Sequence, residues 1–414
     1  MSALKPVRGT HDLLPDEKRR HGFVAARARA VASLYGYEEI STPIFESTDV
    51  FSRTLGDTSD IVTKEMYTFE DRGGDLLTLR PEGTAGIARA YISGGWQQIS
   101  PLKVFYQGPM FRYERPQKGR LRQFHQVGVE LLGIAQPQGD VEAIAMGAHV
   151  LEALGVKDKV TLELNSLGDE KSRRDYRTRL VAFLNDHRDA LSEDSKARLE
   201  RNPLRILDSK DAGDRAIIAD APLMRDSFTD EAKIFFDTVM GGLDALEIAY
   251  RVNQRLVRGL DYYCHTAFEF MTTALGAQGT VLAGGRYDGL IRQMGGPVTP
   301  GIGWAAGVER LAMLIDEPPA PQPMIALVPT GEDMQNSALV LADRLRKGGV
   351  RVDLGYAGNV GKRMKRANKI GAAAAIVMGA DEYAREAVTV RDMRSGEQNE
   401  VAICALAEHL ARFS

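Results

Sequence analysis

Between Phe111 and Glu130 the chain reads FRYERPQKGRLRQFHQVGVE, which gathers five lysines and arginines from Arg112 to Arg122 around one glutamate, Glu114. An arginine fork that never loses its charge sits beside a carboxylate able to accept N–H bonds. The segment reads as a phosphate-binding hairpin, its turn marked by Pro116 and Gly119, with a ligand pocket beside it. In the outgoing strand, period-two geometry puts Phe124, Gln126, Gly128 and Glu130 on one face and His125, Val127, Val129 and Leu131 on the other. The apolar face packs down, His125 with it as a structural histidine. Gly128, bare between two hydrogen-bonding residues, is expected to leave a vacant spot the size of a small polar molecule. Taken alone, the same residues also suit an edge hairpin with solvated charges.

Four further segments could carry chemistry. In TLRPEGTAG a strand ends at Pro81 and a helix starts near Gly83 or Thr84, so Glu82 sits at a helix N-terminus where it can hold an ammonium group or simply oppose the helix dipole. RGLDYYCHTAFEF sets Arg258 before a glycine turn and opens a strand with Tyr262 and Tyr263. AGGRYDGL reads as a glycine-rich loop: Gly284 and Gly285 permit close backbone approach and Tyr287 and Asp288 follow, without P-loop or GxGxxG spacing. GIGWAAGVERL is a small-residue strand running into a helix whose first turn carries Glu309 and Arg310. There Gly303 and Gly307 offer a flat floor for a planar ring and Arg310 a phosphate contact, although packing explains the glycines equally well.

The elements that must hold these residues follow from pattern. At 414 residues the chain exceeds the usual reach of one core, so two or three domains are expected. Residues 15–35 read as a helix ended by Gly36, and residues 38–45 as one strand whose Pro43 confines it to an edge or a subunit contact. Strands recur at 66–69, 76–79, 103–111 and 121–132, then at 160–164, 249–257 and 264–271; residues 140–154 form a helix. Short turns between the early strands indicate an antiparallel sheet. Residues 168–241 are charged, poor in strand formers and helical, with breaks at Pro203 and Pro222, so they read as an insertion. The stiff EPPAPQP segment marks a domain boundary, beyond which β and α patterns alternate in a small α/β domain carrying Lys362, Arg363, Lys365, Arg366 and Lys369 on one helix.

Composition excludes some classes. The formal net charge is −3 and the apolar fraction 44%, which argues against a protein that coats nucleic acid and leaves any polynucleotide to local basic patches. Cys264 and Cys404 are the only cysteines, far apart and without ligand-like neighbours, so no zinc spacing is recognisable and a reducing compartment fits. No apolar run approaches the roughly 20 residues of a membrane span and no leader is evident, so the expected location is the cytoplasm, with no membrane partner.

The order TLRPEGT, FRYERPQKGRLRQFHQ, LVRGLDYY, AGGRYDGL, GIGWAAGVERL closely resembles the class II aminoacyl-tRNA synthetases and, within them, the histidyl-tRNA synthetase family, over nearly the whole chain. FRYE with its basic loop is similar to the second motif of that class, GVERL to the third, and STPIF to the first, which builds the class dimer. The resemblance implies an α+β fold: an antiparallel-sheet catalytic core at 1–320, interrupted by a helical insertion at 168–241, and an anticodon-binding α/β domain at 324–414. It implies ATP-dependent formation of histidyl-adenylate from L-histidine, with Mg²⁺ on the phosphates, and transfer to the 3′ end of histidine tRNA by a homodimer. Implied for ATP are Arg112, Glu114, Arg120 and Arg310, with Arg112 and Arg258 catalytic at the α-phosphate. For histidine they are Glu82, Thr84, Gln126, Glu130, Arg258, Tyr262, Tyr263 and Tyr287, and for the acceptor end Arg115, Gln117, Lys118 and Arg122. Two rivals are a histidine-binding regulatory subunit of the same core, which typically lacks the anticodon domain, and a class II synthetase for threonine, proline or glycine.

Overall fold

Small residues alternating with apolar ones along several strands allow a sheet that buries one face in a core and leaves room for a pocket on the other. The computed structural model describes residues 4–56, 59, 61–117, 119–257, 262–276 and 279–413, without the side chain of Asp208. The chain divides into two compact units, Met1–Pro318 and Pro319–Ser414.

In the first unit an eight-stranded sheet runs in the order Glu38–Glu39, Leu102–Phe111, Gln123–Leu132, Gly301–Gly307, Thr280–Arg286, Cys264–Met271, Thr161–Ser166, Arg251–Val252. The six inner strands are antiparallel, and each two-residue edge strand pairs in parallel. On one face Val127, Val129, Leu131, Ile302, Trp304, Ala306 and Leu282 pack beneath helices Pro15–Leu34, Pro137–Ala153 and Val308–Leu314. Phe236, Val239 and Leu243 of helix Asp230–Ala245 join that core. The opposite face meets helix Thr84–Ser93 and a cluster holding Tyr106, Tyr262, Tyr263 and Tyr287. A separate core of Tyr176, Leu180, Leu184, Leu199 and Met224 holds the helices that follow Asp169.

Two expected strands are shorter than the pattern indicated. Residues 38–45 split: the Ile40 N–H still reaches Phe105 O, but Pro43 has no N–H to donate and the chain crosses to a three-stranded sheet of Phe45–Ser47, Leu76–Leu79 and Tyr67–Glu70. Of residues 249–257 only Arg251–Val252 is strand, because the Asn253 side chain accepts from the Arg255 N–H and turns the chain. AGGRYDGL is not a loop, since strand Thr280–Arg286 runs through its two glycines.

The second unit has the sheet order Val352–Leu354, Ile325–Pro329, Ala374–Met378, Ala387–Asp392, Gln398–Ala402, parallel across the first three strands and antiparallel after them. Helix Val360–Lys369 shows Lys362, Lys365, Arg366 and Lys369 to solvent, whereas Arg363 turns inward and donates to Pro329 O. The five-cation cluster is therefore a four-cation face, and one of the four, Arg366, is paired with Asp353 at 2.7 Å. Among the described residues no helix is long and apolar enough to cross a membrane.

Candidate active site

The register of the inner strands builds the floor of the site. Gly128 pairs with Ala305 and Ala305 with Ala283; Glu130 pairs with Gly303 and Gly303 with Gly285; Gln126 pairs with Gly307. These positions share one face, and six of the eight are glycine or alanine, so larger side chains can lie over the sheet and still leave a cavity of about 350 Å³.

One end of the cavity is cationic. Arg112, Arg120 and Arg310 line it together with Glu114. Arg112 donates from Nε to Pro81 O at 2.9 Å, its guanidinium 5.3 Å from the Phe124 ring centre. Glu114 and Arg120 are paired at 2.6 Å. Arg310 reaches Gly119 O at 3.2 Å and Thr280 O at 2.6 Å, which ties the hairpin tip to the sheet. Gly119 has φ +73°, and a Cβ there would press on Met313 of the same helix at 3.0 Å, so the approach requires glycine. Beyond the cavity Arg122 stacks on Tyr113 at 3.8 Å, and Arg115 and Gln117 are exposed. Arg258 and Lys118 lie outside the described residues.

The other end is acidic and largely buried. The Glu82 carboxylate accepts from the N–H groups of Thr84 at 2.7 Å and Ala85 at 2.8 Å, capping helix Thr84–Ser93. Burial pushes its pKa up, against those two bonds and the nearby charge of Arg112. Glu130 lies behind the lining: Thr84 Oγ1 donates to it at 2.7 Å and the Tyr287 hydroxyl donates to its other oxygen. Burial pushes its carboxyl up to about 8, with the two hydroxyl donors opposing and the charge of Glu82 adding to the rise. Arg286, the residue before Tyr287, is fully buried and paired with Asp140. Tyr262 and Tyr263 complete this wall, their ring centres 4.6 Å apart. Between the two ends Gln126 lines the cavity, and its Oε1 is buried without a hydrogen-bond partner among the described residues.

Two expectations change. The spot beside Gly128 is not vacant: Tyr106, directly opposite in the paired strand, lays its ring there, 2.4 Å from where a Cβ would stand. Gly303 does not hold a planar ring either, because the Glu130 carboxylate lies over it, while Gly307 remains open toward Arg310. Thr84 faces Glu130 through its hydroxyl. Lining residues that the sequence left aside include Glu269, whose carboxylate accepts from Thr280 Oγ1 at 2.7 Å. Its place facing away from Phe268 and Phe270 follows from alternation, the one available signal. A second cavity, at helix Pro137–Ala153, sets the apolar Val141, Ala145, Leu151 and Phe270 beside the polar Glu142, His149, Glu152, Lys157 and Asp158.

The family described as histidyl-tRNA synthetase matches residues 9–311, and one described as anticodon binding domain matches residues 324–412. The histidine–tRNA ligase of Rhodospirillum rubrum is 64% identical over 415 residues, with 100% of each chain covered. That of Gluconacetobacter diazotrophicus is 58% identical, with 99% of each covered. Among solved structures, apo histidyl-tRNA synthetase of S. aureus superposes with a TM-score of 0.83 at 35% identity, covering 98% of this chain and 99% of that one. The histidyl-tRNA synthetase of Nostoc shares the fold at 22% identity, with a TM-score of 0.71 and 100% of each chain covered.

Proposed function

The chain belongs to the histidyl-tRNA synthetase family, and from that premise we propose that it joins L-histidine to its tRNA in two ATP-driven steps. The histidine carboxylate attacks the α-phosphorus of ATP, pyrophosphate leaves, and the histidyl group then passes from the adenylate to the 3′ end of the tRNA. No protein nucleophile is needed. Positioning and neutralisation of charge do most of the work.

The observation that carries the reading is the polarity of one cavity: arginines at one end, buried carboxyls and tyrosines at the other, and the unpartnered oxygen of Gln126 between them. In this reading Arg112 and Arg258 bracket the α-phosphate, Arg310 and Arg120 hold the outer phosphates, and Glu114 accepts from the adenine amino group. Gln126, Glu82 and Thr84 meet the α-ammonium. Tyr263, Tyr262 and Tyr287 surround the imidazole, and Glu130 reads it once Tyr287 or Thr84 yields its place. Mg²⁺ would be held by the ATP phosphates and the Glu269 carboxylate at the wall, where it would neutralise charge. Arg115, Gln117, Lys118 and Arg122 on the hairpin loop suit the acceptor end, and Lys362, Lys365 and Lys369 suit the anticodon stem.

The catalytic core at 1–320, the helical insertion at 168–241 and the anticodon-binding domain at 324–414 belong to the same reading, as does a cytoplasmic location. So does a homodimer: Ile44, Phe45, Phe69 and Leu76 are all exposed on or beside the three-stranded sheet, a surface that a second copy can cover. Histidine-dependent ATP–pyrophosphate exchange tests the core claim. Absence of exchange defeats the synthetase reading, and exchange driven by another amino acid moves the specificity.

A further inference from the structure

Three side chains with no assigned part in the reaction meet at the back of the cationic wall. They are His21 from helix Pro15–Leu34, His125 from strand Gln123–Leu132 and Glu309 from the first turn of helix Val308–Leu314. One ligand-capable atom of each lies within 4.8 Å of the others. His125 Nδ1 is 2.9 Å from Glu309 Oε1, and the two imidazoles meet edge to face with ring centres 5.6 Å apart. The Glu309 carboxylate is aimed by the His125 N–H, which donates to both of its oxygens at 2.8 and 3.0 Å. His21 is only 8% exposed, and its Nδ1 is buried without a hydrogen-bond partner among the described residues. A buried polar atom left so is costly, which points to a partner supplied from outside the chain. Glu309 also lines the cavity, so the cluster has an approach from solvent.

We propose that His21, His125 and Glu309 form a binding site for a zinc-class divalent cation, beside the ATP pocket and separate from any Mg²⁺ on the phosphates. Two imidazole nitrogens and one carboxylate oxygen are a zinc-type donor set that leaves a fourth position for water, whereas Mg²⁺ favours oxygen alone. A neutral imidazole offers such an ion a ring-nitrogen lone pair. His125 becomes a ligand through Nδ1 when its proton resides on Nε2. The ion would fasten the amino-terminal helix to the helix turn that carries Arg310. The ligands stand at positions 21, 125 and 309, so no spacing in the sequence announces them.

The test uses the full chain, freed of metal with a chelator and titrated at neutral pH with Zn²⁺ by calorimetry and with Co²⁺ by absorption. The expected result is one equivalent bound, with tetrahedral Co²⁺ bands, and at least about tenfold weaker binding in His21→Phe, which keeps an aromatic edge against His125. No stoichiometric uptake by the wild type, or uptake unchanged in His21→Phe, overturns the site. Should that variant not fold, zinc-edge anomalous diffraction from wild-type crystals decides: a peak between the three side chains supports the proposal, and none there refutes it.

Discussion

Gln126 and Glu130 stand four residues apart on one strand face, yet their environments differ. Gln126 Oε1 has no hydrogen-bond partner among the described residues, so removing it costs the fold little and an incoming ammonium much. Gln126→Ala is expected to raise the KM for histidine roughly 10- to 100-fold, in line with one hydrogen bond to a charged group, while the melting temperature stays nearly unchanged. Glu130 behaves oppositely. Burial raises its carboxyl from 4.5 to about 8, so between those values the folded state holds a proton that the unfolded chain has lost. Its contribution to stability therefore falls as pH rises through that window. Glu130→Gln, which does not titrate, should gain on the wild type by a few kcal/mol, on the order of 2–4, between pH 5 and 8, and should lose histidine-dependent exchange. Denaturant unfolding at several pH values checks the slope, and a flat difference would place the titration elsewhere. At this scale the sequence was legible where alternation sets direction, as at Gln126 and Glu130, and where a helix start does, as at Glu82. It was silent on Tyr106, because only the pairing of two strands brings that ring over Gly128.

Helices and strands impose their own demands. Because the Tyr106 ring fills the space at Gly128, Gly128→Ala forces an overpacked contact and is expected to cost about 1–3 kcal/mol in urea unfolding, with activity falling alongside. In the helical stretch, Asp214 is a hub: it accepts from Ser192 N and Oγ, Ser195 Oγ and Ser209 Oγ at 2.6 to 2.8 Å. Burial alone would raise its pKa, but these bonds outweigh it and hold the carboxyl down at about 2, below its ordinary 3.8. The stabilisation is thus fully present above 3.8 and is lost as pH falls toward 2. Asp214→Ala should destabilise these helices by about 2–4 kcal/mol and speed their cleavage in limited proteolysis. Periodicity revealed most elements, including helix Pro15–Leu34 and the long hairpin. It overextended residues 38–45 and 249–257, where a missing proline N–H and an asparagine turn end pairing in ways that apolar spacing does not record.

Across the whole molecule, each compact unit has its own apolar core, the condition for a domain to fold alone. A chain ending at Pro318 is expected to retain histidine-dependent pyrophosphate exchange within a few-fold and to lose most of its kcat/KM for tRNA charging. Equal losses in both assays would mean that the second unit supports the first reaction. The large sheet has a further property at its margins, where it ends on either side in a two-residue parallel strand, Glu38–Glu39 and Arg251–Val252, all four residues charged or exposed. Such margins offer a passing chain two or three backbone bonds and a charged greeting, too little to template a ninth strand. Short, exposed margins of this kind work against edge-to-edge growth of the eight-stranded sheet into fibres.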